Sequence, residues 1–240
     1  MMNIKHRSKE KRDAMQLGIY KIINPLVKGL IKCGFTPNMV TTIGFFGQIL
    51  AAAVIIWAAC ISRNGAHVNY YMVLLSSLLV IGFSLFDMLD GQVARLGNMA
   101  TRFGAMYDSL LDRYCEFATL GGICFYLFKC NHLTGALLTF LALMGSIMVS
   151  YVRARAEGLG IECKMGFMQR PERVVLTTVA LFATGVTGCI VGNDSSFDPN
   201  FILIFAMGFL ALFANMTAIA RINHCRKAME ERERREKNAG

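Results

Sequence analysis

Six apolar stretches constrain this chain more than anything else in it: 42–62, 70–90, 104–128, 133–152, 173–192 and 200–220. Each approaches the roughly 20 residues a helix needs to cross bilayer hydrocarbon. A helix suits that setting because it pairs its own backbone N–H and C=O groups where no water can. The expected fold is an all-α integral membrane protein with six transmembrane helices. Composition points the same way: 55% of the 240 residues are apolar and 17% charged, against about 45–50% and about 25% in soluble domains. Disordered chains, fibrous repeats and secreted disulfide scaffolds are excluded. The eight cysteines form no C-x-x-C and no zinc-like Cys/His spacing. They read as small hydrophobes with free thiols.

The net charge of +9 could suggest nucleic acid. The basic residues, however, come in blocks between the apolar runs, and nucleic acid is not an expected partner. Residues 1–41, 91–103, 153–173 and 221–240 together hold 22 of the 25 Lys and Arg. Cytoplasmic segments retain Lys and Arg, so both termini are expected on the cytoplasmic side of an inner or plasma membrane. The chain reads as one domain: a cytoplasmic or interfacial segment 1–41, a core 42–220 and a charged tail 221–240. Within the first segment, 14–34 sets Lys21, Lys28 and Lys32 on one helical face, with Ile, Leu, Val and Met opposite. That pattern predicts an N-terminal amphipathic helix lying in the membrane interface. The tail predicts a solvated helix of mixed charge.

Four aspartates do not belong in such spans. Asp87 and Asp90 are i,i+3, and Asp108 and Asp112 are i,i+4, so each pair projects from one helical face. The first pair is expected to end one helix and the second to lie in the first turns of the next. Two like charges about 4 Å apart repel by roughly 4 kcal/mol at an effective dielectric near 20, and a charge in the bilayer costs at least about 2.5 kcal/mol. Only Arg95, Arg102 and Arg113 lie nearby. Two divalent cations would balance four carboxylates, and hard oxygen ligands favour Mg²⁺, or Mn²⁺, over zinc. Such a pair clamps an in-line phosphoryl displacement. The bland alternative is that the aspartates are solvated helix caps. Gly91 and Gly104 present no side chain, which would let a bulky ligand approach the backbone or simply let helices pack closely. Arg95 carries a planar fork suited to phosphate.

In order, Asp87, Asp90, Gly91, Ala94, Arg95, Gly104, Asp108 and Asp112 resemble the signature of the CDP-alcohol phosphotransferase family. The resemblance covers nearly the whole chain. It implies an integral-membrane enzyme that moves a phosphatidyl group from CDP-diacylglycerol to an alcohol and releases CMP. It implies that Asp87, Asp90, Asp108 and Asp112 hold two metal ions and that Asp112 is also the general base. It places Gly91, Arg95 and Thr101 against the donor nucleotide and its phosphates. TPNMVTTIG resembles the family's segment opening the first span, which implies that Pro37, Asn38 and Thr41 line the cytidine pocket. A homodimer, and a site at the cytoplasmic face, are implied as well.

The acceptor is less directly written. SYVRARAEGLGIECKMGFMQRPERVVL supplies Arg153, Arg155, Arg170 and Arg173, and Arg221 ends the sixth span. Bidentate guanidinium contacts suit a phosphorylated acceptor, although arginines also flank helices for topological reasons alone. S-Y-x-R-A-R-A-E and R-P-E-R resemble the phosphatidylinositol phosphate synthase branch of the family. That implies inositol phosphate as acceptor, with Ser150, Arg153, Arg173 and Arg221 around its phosphate. Arg153 stands where that branch commonly has Lys. The same transfer to glycerol 3-phosphate, giving phosphatidylglycerol phosphate, is the first alternative. A cation transporter is a remote one, because intramembrane acids mark ion pathways but these cluster toward one surface.

Overall fold

The computed structural model describes residues 24–62, 68–163, 165–193 and 197–239, and their regular structure is helical throughout. A short helix over 24–32 (α1) is followed by α2 (Pro37–Ile61), α3 (Tyr70–Leu96), α4 (Arg102–Lys129), α5 (Leu133–Gly158), α6 (Arg170–Val191) and α7 (Asn200–Ala239). Five of these, α2, α3, α5, α6 and α7, are long and apolar enough to cross a membrane. The third expected span, α4, forms as a helix of 28 residues. Its Arg102, Asp108, Asp112, Arg113 and Glu116 keep it below that standard.

Helix ends follow local chemistry. Pro37 opens α2, where its missing N–H is not needed, and Thr36 Oγ1 lies 3.4 Å from the Met39 N–H. Thr101 Oγ1 accepts from the Gly104 N–H at 2.9 Å and so caps α4. Pro171 sits in the first turn of α6. The expected stop near Asp90 is wrong: α3 runs on to Leu96. The cost of Gly91 in a helix, about 1 kcal/mol, is small beside the helix-forming run after it. Gly97 and Asn98, the latter at φ 51°, then end the helix.

The chain folds as two compact units. One is Met1–Phe46 with Gly82–Asp112; the other is Gly47–Ile81 with Arg113–Gly240. In the first, Val27 of α1 is buried with Val40, Leu89 and Val93, and Leu30 and Ile31 pack on them. Lys28 and Lys32 stay exposed. Leu26 is exposed as well, at 56%, and 14–23 of the segment expected to be amphipathic lie outside the described residues.

In the second unit, small residues bring helices together, as they do where lipid offers no hydrophobic drive. α5 buries Gly135, Ala136, Thr139, Ala142, Gly145 and Ser146 and packs along α7. A Cβ at Gly145 would stand 2.6 Å from Asn215 Nδ2, whose amide donates to the carbonyls of Leu141 and Ala211. Beyond its apolar part, α7 remains helical to Ala239, with an exposed surface from 231 to 238. Arg232 donates to the carbonyls of Leu159 and Gly160 just past the end of α5.

Candidate active site

Three of the four aspartates meet. Carboxylate oxygens of Asp87 and Asp90, from α3, and of Asp108, from α4, all lie within 4.8 Å of one another. Asp90 is only 5% exposed, and the other two are more open. The i,i+3 spacing turns both α3 carboxylates to one side, and the short connector between α3 and α4 brings Asp108 back beside them. Three negative charges at this separation repel strongly. Three clustered oxygen donors fit a hard divalent cation, which removes that repulsion. Asp112, one turn further along α4, is half-buried and is not a member of the 4.8 Å group.

The surroundings of the aspartates come largely from α2. Thr41 Oγ1 lies 2.7 Å from Asp90 Oδ2, and Tyr107 and Thr42 hydroxyls are 3.0 Å apart. Asn38 Oδ1 would be 3.2 Å, and Thr101 Oγ1 3.0 Å, from a Cβ at Gly104. Gly104 therefore serves close packing of the starts of α2 and α4. Gly91 differs, since a Cβ there meets nothing within 4 Å. No neighbouring side chain fills the space beside it. Arg95 and Thr101 are exposed, and Pro37 and Asn38 are partly so.

The residues expected around the acceptor fall in the other unit. Arg173, 2% exposed, donates from Nε to Glu116 Oε1 at 2.7 Å and from Nη2 to Glu116 Oε2 at 3.0 Å. Its Nη1 reaches the Met168 carbonyl at 3.2 Å. Arg221, also 2% exposed, donates to the carbonyls of Met165 and Val149 at 2.8 and 2.6 Å. Arg153 is more open and pairs with Glu157 at 2.9 Å. The positive charges of Arg153 and Arg173 both act on Arg221. Ser150, half-buried, precedes Arg153 by one turn of α5. Arg155 is exposed, and Arg170 opens α6.

Two features have little or no signature in the sequence. Glu116 stands four residues after Asp112, one further turn of the helix, and that register is the available signal. Its pairing with a residue 57 positions away has none. The Thr42–Tyr107 contact carries no signal either, because a threonine and a tyrosine in apolar helices are ordinary.

A family model described as CDP-alcohol phosphatidyltransferase matches residues 35–221. The phosphatidylinositol phosphate synthase of Mycobacteroides abscessus is 31% identical over 208 residues, covering 86% of this chain and 84% of that protein. The crystal structure of Mycobacterium tuberculosis phosphatidylinositol phosphate synthase with CDP-DAG bound shares 28% identity and a TM-score of 0.71, over 85% of this chain and 94% of that one. The structure of the same enzyme in complex with manganese and citrate gives 29% identity and 0.69, over 84% and 87%. The matched stretch runs from just before α2 to Arg221 and holds every aspartate of the cluster; the chain belongs to the CDP-alcohol phosphatidyltransferase family.

Proposed function

We propose that this protein transfers the phosphatidyl group of CDP-diacylglycerol to a phosphorylated alcohol, inositol phosphate, giving phosphatidylinositol phosphate and CMP. As a member of its family the chain is a phosphatidyltransferase enzyme. The observation that carries the reading is the convergence of Asp87, Asp90 and Asp108 within 4.8 Å in a chain of this family. The relatives named for phosphatidylinositol phosphate synthesis support the choice of acceptor.

Asp87, Asp90, Asp108 and Asp112 would hold two Mg²⁺ or Mn²⁺ ions. When bound, these supply positive charge that neutralises the diphosphate and stabilises the leaving phosphate. Gly91 leaves room for the nucleotide, and Arg95 and Thr101 supply donors to its phosphates. Pro37 and Asn38 would border the cytidine. Asp112 takes the proton of the acceptor hydroxyl as that oxygen bonds to the phosphorus carrying diacylglycerol. The P–O bond to CMP breaks, and CMP keeps the electron pair. A carboxylate is a weak base for an alcohol, so proton transfer accompanies attack. Ser150, Arg153, Arg173 and Arg221 would hold the acceptor's phosphate.

The reaction's setting belongs to the same proposal. At about 1.5 Å per residue, α4 is roughly 42 Å long, more than the roughly 30 Å of hydrocarbon. The expected span 104–128, about 37 Å at that rise, is long enough to cross with its charged first turns toward headgroup depth, and counting it gives six spans. The distribution of Lys and Arg sets both termini and the aspartates on the cytoplasmic side. A homodimer, implied by the family, completes the reading.

Purified protein supplied with CDP-diacylglycerol, Mg²⁺ and either inositol phosphate or glycerol 3-phosphate tests the acceptor. Mass spectrometry is expected to find phosphatidylinositol phosphate as the dominant lipid product. Dominant phosphatidylglycerol phosphate would overturn the inositol assignment and leave the transfer reaction intact. The donor site has its own test in Gly91→Ala. The added methyl meets no protein atom, and alanine favours a helix by about 0.5–1 kcal/mol, so stability should hold or rise. The CDP-diacylglycerol KM should nevertheless rise about tenfold or more, the scale of overfilling a packed contact. An unchanged donor KM would remove Gly91 from the donor pocket.

A further inference from the structure

The usual partner of a threonine hydroxyl inside a helix is the carbonyl four residues back. Thr139, Thr184 and Thr217 all bond this way, to Gly135, Ala180 and Phe213. Thr41 departs from the pattern. Its Oγ1 is 3.0 Å from the Pro37 carbonyl but 2.7 Å from Asp90 Oδ2. A hydroxyl has one proton, and the shorter contact to a carboxylate is the stronger claim on it. Both residues are buried, Thr41 at 8% and Asp90 at 5% exposure, so water does not compete well for either.

The next residue does the corresponding work toward α4. Thr42 Oγ1 lies 2.6 Å from the Asn38 carbonyl, which takes its single proton. The 3.0 Å contact with Tyr107 is therefore donated by the Tyr107 hydroxyl. Tyr107 immediately precedes Asp108. Consecutive residues on a helix point about 100° apart, so neighbouring threonines of α2 address two different helices.

We propose that Thr41 and Thr42 are positioning residues for the carboxylate cluster: one orients Asp90 on α3 and the other, through Tyr107, sets the start of α4 that carries Asp108. This rests on the reading of the cluster as a divalent-cation site. It gives Thr41 a task separate from lining the cytidine pocket, since a proton held by Asp90 is not free for a base. Outer partners of metal-binding carboxylates are worth about 10–100-fold in affinity.

The test is Mn²⁺ binding to the full chain in detergent, read by electron paramagnetic resonance of free Mn²⁺ without nucleotide or acceptor. Thr41→Val keeps shape and removes the hydroxyl; its Mn²⁺ Kd is expected to rise about 10–100-fold. Thr41→Ser restores the donor and should return to within a few-fold of the unaltered chain. Tyr107→Phe leaves α2 untouched and should weaken Mn²⁺ binding in the same direction, which keeps the test open if the valine variant does not fold. Asp90→Ala distinguishes the two levels. If it loses Mn²⁺ while Thr41→Val and Tyr107→Phe bind normally, the positioning role is overturned and the cation site stands. If Asp90→Ala itself binds Mn²⁺ normally, the cation site falls and the positioning role with it.

Discussion

Asp108→Ala is expected to abolish CMP release, by roughly 10³-fold or more, the upper scale on which one preorganised electrostatic group contributes to a rate. Asp87→Ala should do the same. Both side chains supply oxygens to a group spanning 4.8 Å, and neither is part of the apolar core. Removing one carboxylate also relieves like-charge repulsion within the cluster. The variants should therefore insert, purify and melt as the unaltered chain does, or slightly higher. Turnover of CDP-diacylglycerol measured beside thermal stability in detergent separates the two effects. Retained turnover in either variant would remove the catalytic basis of the reading. Lost turnover with a collapsed melting profile would make the aspartates structural. Mn²⁺ at high concentration should not rescue either alanine variant, because the missing oxygen is a ligand and not a screening charge.

The positions of the helices are legible in the sequence because hydrocarbon permits little else. Pro37, Pro171 and Pro199 fall at helix starts, as a residue without an N–H must. The aspartate spacing puts Asp87 and Asp90 on one face, and the short connector after Leu96 suffices to bring Asp108 to them. Helix ends and pairings between distant residues are not legible in the same way. α3 passes through Gly91 because one glycine costs little in a long helix, and local propensity does not reveal that in advance. α4 resembles an ordinary span on hydropathy over 104–128, yet its acids and arginines set it apart from the other five. The arginines suggest open phosphate contacts when only the sequence is considered. Arg173 and Arg221 are instead each 2% exposed, held by Glu116 and by backbone carbonyls. Burial of a guanidinium depends on a partner elsewhere in the chain, and no local pattern encodes that partner.

Glu116→Ala should be the most destabilising of these substitutions. It leaves Arg173 charged, buried and without its carboxylate, a change worth about 3–5 kcal/mol. The effect should appear as a large drop in melting temperature in detergent, and Arg173→Ala should show a comparable drop by leaving Glu116 alone. The pair replaced together, Glu116→Leu with Arg173→Met, tells a different story. Exchanging a buried ion pair for apolar groups of similar volume is often neutral or stabilising by about 1–4 kcal/mol, so the double variant should fold. Its kinetics then isolate what the guanidinium does beyond holding Glu116. With Nε and one N–H on each terminal nitrogen engaged, a guanidinium still has two N–H groups to offer. If those reach the acceptor's phosphate, the folded double variant should show an acceptor KM raised about tenfold or more, the worth of a charged hydrogen bond, with the donor KM little changed. An unaltered acceptor KM in a stable double variant would make the pair a structural tie between α4 and α6. The acceptor's phosphate would then rest on Arg153, Arg221 and Ser150.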